Sequence, residues 1–192
     1  MRIIAGKLRG RRIRGAGKDW GVRPISGRIK QSLFDILSGL LPGARFLDLF
    51  AGTGAVGIEA LSRGAAFVFF VDRDRRCLEL IARNLAAAGF LERAQVHFGD
   101  ALSDLSWVPF RSKTAQYDLI FMGPPYQDAD RRPLAYSAPA LKRAAAAGLL
   151  ATKGWAVCQH HVKEEVTAPE GWVMVRREKY GDTYLSFFRM QA

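Results

Sequence analysis

The 192-residue chain is poor in cysteine and histidine, with two of the first and three of the second. Cys77 and Cys158 stand alone on apolar segments. They read as buried, reduced thiols of a cytosolic protein rather than as a disulfide framework. His97, His160 and His161 show no metal-ligand spacing, so no metal site is expected. No apolar run approaches the roughly 18 residues that a membrane span needs, so no membrane partner is expected. No apolar signal region follows Arg2, and secretion is not expected either. Internal repeats are absent, and Ala144 to Ala147 is the one low-complexity stretch. Acid is scarce at one end, where Asp19 is the single carboxylate in residues 1–30.

That scarcity makes the charge lopsided. Residues 1–30 hold Arg2, Lys7, Arg9, Arg11, Arg12, Arg14, Lys18, Arg23, Arg28 and Lys30, which puts +9 of the chain's +11 there. A basic cluster interleaved with glycines is the footprint of phosphate binding. A solvated basic tail would carry the same charge. The apolar anchors Ile3, Ile4, Leu8 and Ile13 favour a docked segment. The length and a hydrophobic content of 49% suit one globular domain with a sizeable core.

The chain is organised around residues 46–65, which read as strand, glycine turn and helix. Phe46, Leu47 and Leu49 give the apolar run, Gly52 and Gly54 the turn, and Val56, Ala60 and Leu61 one helical face. Gly52, Gly54 and Gly57 match G-x-G-x-x-G, and Asp72 follows Gly52 by twenty residues. Asp48 would put negative charge beside a pyrophosphate, so a cationic ligand such as an ammonium suits the turn better. A tight turn that only packs helix on strand would use the same glycines.

In chain order, residues 2–5 and 11–14 are expected to pair as two short strands. Ser26 is expected to cap a helix with Ile29, Leu33, Ile36, Leu37 and Leu40 on one face, ending at Pro42-Gly43. Further strands are expected at 66–71, 94–98, 117–122 and 155–160, with helices at 74–88 and 139–147. The first of these helices should turn Leu78, Ile81, Ala82 and Leu85 inward and pair Glu79 with Arg83 outside. Residues 172–180 and 183–190 should form an antiparallel pair turned at Gly181-Asp182. This alternation predicts a Rossmann-like, doubly wound α/β fold. Its sheet would be seven-stranded and mostly parallel with an antiparallel C-terminal strand, plus a small N-terminal hairpin and helix. Residues 1–42 would be a basic N-terminal hairpin-and-helix extension and 43–192 the main domain, together one compact unit. Asp48, Asp72, Asp100 and Gly123-Pro124-Pro125-Tyr126 fall at strand ends, the edge where open α/β sheets bind ligands.

With these residues the chain resembles the class I, S-adenosylmethionine-dependent methyltransferases. Within them it is most similar to the bacterial family that methylates the exocyclic N2 of a guanine in small-subunit (16S) rRNA. The resemblance is carried by Arg2-Ile-Ile-Ala-Gly with Arg9-Gly-Arg-Arg, Arg23-Pro followed by Arg28, the 48–54 loop, Gly123-Pro-Pro-Tyr and Tyr180-Gly-Asp-Thr. It implies that Asp48, Phe50, Ala51, Gly52, Thr53 and Gly54 hold the methionine part of the cofactor. Asp72 would take the ribose diol and Asp100 the adenine amino group, with Ala101 beside the ring; Asp100 would equally suit a helix N-cap. Gly123, Pro124, Pro125 and Tyr126 would form the acceptor site, with the Pro124 carbonyl orienting the amine and Tyr126 stacking on the base. Arg9, Arg11, Arg12, Arg23, Arg28 and Lys30 would contact RNA. The expected protein is a cytoplasmic monomer acting on 16S rRNA in the small subunit or its precursor.

Three positions depart from the family. Gly123 stands where Asp is usual, and Ile25 and Gly27 stand where Thr and Asp are common. Gly123 lacks a side-chain acceptor and is expected to slow catalysis unless backbone carbonyls and a water suffice or Asp128 or Asp130 substitutes for it. Two rival readings are an adenine-N6 nucleic-acid methyltransferase, which shares the turn, and a non-catalytic RNA-binding assembly factor, which Gly123 would suit.

Overall fold

In a computed structural model of the chain, residues 1–17, 20, 25–128 and 130–191 are described. The Ser26 hydroxyl accepts the Ile29 N–H and starts α1 (Gly27–Ile36). Ile29, Leu33, Phe34 and Leu37 bury its apolar face. Leu40, expected on that face, is exposed. It lies in a 3-10 turn, Ser38–Leu40, whose tighter winding carries it off the stripe.

Next come β1 (Arg45–Leu49), α2 (Ala55–Ser62), β2 (Phe67–Asp72), α3 (Arg75–Ala88) and β3 (Ala94–Phe98). The three strands are parallel, with β2 in the middle. Their apolar runs follow burial: Phe46–Leu49 and Val68–Val71 are covered, whereas the edge strand β3 is half-exposed. Helix α2 lies so close to β2 that a Cβ on Gly57 would sit 2.2 Å from the Phe70 ring. Gly57 therefore serves helix–strand packing. Asp74 caps α3 by accepting the Arg76 N–H, and Gly89 ends it in the left-handed region. Its buried row is Cys77, Leu80, Ile81, Asn84, Leu85 and Ala88. Ala82, one step off that row, faces solvent instead of the core, and Leu78 is half-buried. Glu79 and Arg83 pair outside at 3.7 Å, as expected.

The second half holds α4 (Trp107–Ser112), β4 (Tyr117–Met122), α5 (Ser137–Ala146), β5 (Leu150–His161), β6 (Trp172–Tyr180) and β7 (Thr183–Met190). Helix α4 has no counterpart among the sequence expectations. Strand β5 starts five residues before Trp155, because a bulge separates the pairs Tyr117–Leu150 and Leu119–Trp155. It runs parallel to β4, and β7 runs antiparallel to both β5 and β6. The seven strands form one sheet in the order β3-β2-β1-β4-β5-β7-β6, the doubly wound sheet with an antiparallel C-terminal strand that the sequence predicts. By packing, residues 1–100 and 101–192 form two units, and the basic N-terminal segment belongs to the first. No helix among the described residues is long and apolar enough to cross a membrane.

Candidate active site

Strand β1 delivers Asp48 to the turn before α2. Its carboxylate is buried, and Oδ2 accepts the Gly57 N–H in the first turn of α2 at 2.9 Å. This aligns a negative charge with the positive end of the helix. No cation pairs with Asp48 among the described residues. Burial pushes its carboxyl well above the usual range; the Gly57 bond opposes this and the Asp72 charge adds to it. A buried carboxylate in this state fits a cationic ligand group. The turn itself carries Phe50, Gly52 and Gly54 at φ of 61°, 54° and 75°. Phe50 is notable, since a bulky side chain rarely adopts that conformation and such strain gathers at ligand sites.

Asp72, at the end of β2, holds this turn. Oδ2 accepts the Gly52 N–H at 2.7 Å and Oδ1 the Asp74 N–H at 2.9 Å. The Arg73 N–H also bonds this carboxylate, which keeps acceptor capacity beyond these three bonds. Burial raises its carboxyl, while those N–H groups pull it back and the Asp74 charge raises it again. Ala51 and Thr53 are buried within the turn. Asp100, two residues beyond β3, is exposed, and Ala101 is buried in the second unit.

The basic segment is clasped onto α2. Arg2 and Arg12 make a single antiparallel bridge, with Ile3 N–H bonded to the Arg11 carbonyl and Ile13 N–H to that of Met1. Two full strands do not form, because the next donor turns away: the Ala5 N–H, like that of Ile4, bonds the Glu59 carboxylate at 2.9 Å. Ser62 Oγ accepts the Leu8 N–H and donates to the Ala5 carbonyl. At Gly6, φ is +79° and a Cβ would lie 1.9 Å from the Ser62 carbonyl oxygen, so only glycine permits this approach. Asn84 of α3 bonds both backbone groups of Arg14. The Thr53 hydroxyl reaches the Met1 sulfur at 3.4 Å. The clasp leaves Arg9, Arg11, Arg12 and Arg28 exposed. Lys30 is a correction: it is buried, 2.9 Å from Glu59 Oε2, and donates to the Arg2 carbonyl, so it holds the clasp and cannot meet a phosphate. Arg23 lies outside the described residues.

In the second unit, Gly123-Pro124-Pro125-Tyr126 follows β4 directly. Pro124 is buried, Pro125 exposed, and Tyr126 half-buried. The Tyr126 hydroxyl donates to Thr183 Oγ1 at 3.3 Å and accepts from Gln159 Nε2 at 2.9 Å. The His161 ring meets its edge at a centroid distance of 5.9 Å. At Gly123, a Cβ would lie 2.8 Å from the Phe121 ring. Asp128 Oδ1 accepts the Asp130 and Arg132 N–H groups, and Asp130 lies 3.9 Å from Arg132, so both carboxylates serve their own loop.

Residues 1–189 match the family described as conserved hypothetical protein 95. Ribosomal RNA small subunit methyltransferase D of Escherichia coli K12 is 31% identical over 201 residues, covering all of this chain and 91% of that one. The provisionally named rRNA methyltransferase YlbH of Bacillus subtilis is 33% identical over the whole of both chains. The solved structure of the provisionally named methyltransferase yhhF of E. coli superposes with a TM-score of 0.79 at 26% identity, covering 100% of this chain and 98% of that one. The chain belongs to the methyltransferase D family. Its fold is that of the S-adenosylmethionine-dependent methyltransferases.

For this methyltransferase D member, sequence reasoning found the turn and its acids but missed what holds them. Glu59, Ser62 and Asn84 bond partners 54 to 70 residues away, and Tyr126 bonds Thr183 57 residues away. The Tyr180-Gly-Asp-Thr signature was the one available signal for the last of these.

Proposed function

We propose that the protein transfers a methyl group to the exocyclic N2 of a guanine in small-subunit rRNA, in the cytoplasm where the subunit is assembled. The relatives' names support methyl transfer to rRNA. The observation that carries transfer to an exocyclic base amine is the half-buried Tyr126 ring, held two residues after the Pro124 carbonyl at the end of β4; guanine is chosen on the resemblance to the family that methylates guanine N2.

S-adenosylmethionine, when bound, supplies a methyl already activated on a sulfonium. Asp48 would neutralise the ammonium end and Asp72 would accept the ribose hydroxyls through its remaining acceptor positions. Asp100 would accept the adenine amine, with Ala101 against the ring. Such chemistry is mostly a matter of placement. The guanine amine shares its lone pair with the ring and is a poor nucleophile. The Pro124 carbonyl would accept one N–H and turn the lone pair toward the methyl, while Tyr126 stacks on the unstacked base. Arg9, Arg11, Arg12 and Arg28 would hold backbone phosphates.

The test is transfer of labelled methyl to 16S rRNA, assembled subunits, tRNA and DNA, with the product nucleoside identified. N2-methylguanosine from rRNA or subunits supports the reading. Methyladenine, or transfer to DNA alone, refutes it.

A further inference from the structure

Tyr126 is held through both its backbone and its side chain. The backbone carbonyl accepts the Leu134 N–H at 2.8 Å, and the hydroxyl at the far end of the ring is held from two sides. A phenol has one proton to donate and can accept in return. Here the proton goes to Thr183 Oγ1 at 3.3 Å, and the Gln159 amide donates to the oxygen at 2.9 Å. Thr183, itself buried, sends its own proton to Asp182 Oδ1 at 3.3 Å, which leaves a lone pair toward the phenol. The direction of every bond in the series Gln159–Tyr126–Thr183–Asp182 is thereby set.

We propose that Gln159 and Thr183 are positioning residues that fix the plane of Tyr126 for the acceptor base. The inference rests on the functional reading above. A π-face alone needs only an aromatic ring, and phenylalanine would supply one. Two bonds at the far end of the ring add orientation. They restrict tilt before RNA arrives, so the ordering is not required during binding. A tilted platform displaces the stacked guanine, and a displacement near 1 Å at a reacting centre can cost about 100-fold in rate. The Gly181-Asp182 turn between β6 and β7 gains a function, since it presents Asp182 and Thr183 to the acceptor site's aromatic.

The experiment compares Gln159→Leu, Thr183→Val and Tyr126→Phe in the full chain. Each should lower the single-turnover rate of methyl transfer to rRNA about tenfold, with S-adenosylmethionine affinity unchanged by calorimetry. Gln159→Leu should cost nothing further in the Tyr126→Phe background. Gln159→His, whose ring N–H can still donate to the phenol oxygen, should recover part of the rate. Full additivity of Gln159→Leu and Tyr126→Phe, or a wild-type rate in the Gln159→Leu, Thr183→Val double variant, would overturn the proposal. NMR of ring-labelled tyrosine in RNA-free protein gives an activity-independent readout. A Tyr126 ring more mobile in Gln159→Leu than in wild type supports the tether, and equal mobility refutes it. Absence of methyl transfer by the wild-type protein would refute the functional reading instead, and the ring mobility would still decide the tether.

Discussion

Lys30 and Glu59 face each other at 2.9 Å with side chains that are 4% and 0% exposed. Without Lys30, Glu59 keeps Arg63 and the Ile4 and Ala5 N–H groups, so the loss falls at the lower end of the about 3–5 kcal/mol that breaking a buried pair costs. Lys30→Ala should therefore lower the melting temperature by about 6–12 °C for a domain of this size. A phosphate-contacting lysine would instead leave the melting temperature alone and weaken RNA binding in low salt. Calorimetric melts beside salt titrations of RNA binding separate the two.

The exposed arginines should behave in the opposite way. Changing Arg9, Arg11 and Arg12 to Ala should leave the melt unaltered, since none of these side chains is buried. RNA affinity should fall for all sequences, and the log–log salt slope should flatten by about 0.7 per lost single-strand contact. An unchanged slope would mean that the clasped segment meets no phosphate.

Cofactor binding should depend on pH with a defined sign. Asp48 and Asp72 both have carboxyls raised above the ordinary range, in each case chiefly by burial. An ammonium and a ribose diol favour the ionised forms. Affinity for S-adenosylmethionine should thus rise with pH through the usual aspartate range and level off only above it. Asp72→Ala should weaken binding about tenfold or more, from loss of charged hydrogen bonds worth about 1.5–3 kcal/mol. A flat calorimetric pH profile would remove these acids from the cofactor site.

Acid should loosen the clasp. Burial alone would raise Glu59, but the Ile4 N–H, Lys30 and Arg63 together hold its carboxyl below the ordinary range. A depressed folded value means that the contribution is fully present above the unfolded value and is lost as pH falls through the folded one. Melting temperature should drop in that acidic window, and Glu59→Gln should flatten the drop while starting from a lower melt.

Phe121 governs what Gly123 can become. The ring fills the space of a Cβ at 123, so Gly123→Asp must first move it. The single variant should gain little rate. Phe121→Leu with Gly123→Asp should gain more, toward the 10²–10³ that one positioned hydrogen bond can supply. Single-turnover rates at saturating cofactor measure this. Equal rates in both variants would show that the ring yields freely.

How much the sequence revealed follows the range of the interaction. The strand–turn–helix at 46–65 and the cap at Ser26 are local patterns, and each lies where its residues predict. Lys30 was misplaced because sequence shows charge but not burial, and its partner lies 29 positions away. The hairpin was overdrawn as two strands because Glu59, on another element, captures the Ala5 donor that would have continued the ladder. The role of Gly123 depends on a ring two residues earlier, on the strand before it, which a reading of the turn alone passes over.

Helix α2 begins at the glycine turn and ends at Ser62, which the clasped segment bonds, and its eight residues rise about 12 Å. The helix is thus a ruler with both length and phase. One residue inserted between Gly57 and Glu59 would lengthen it by only about 1.5 Å, but would swing Glu59 by roughly 100° around the axis. The hairpin would then find no carboxylate where its N–H groups point.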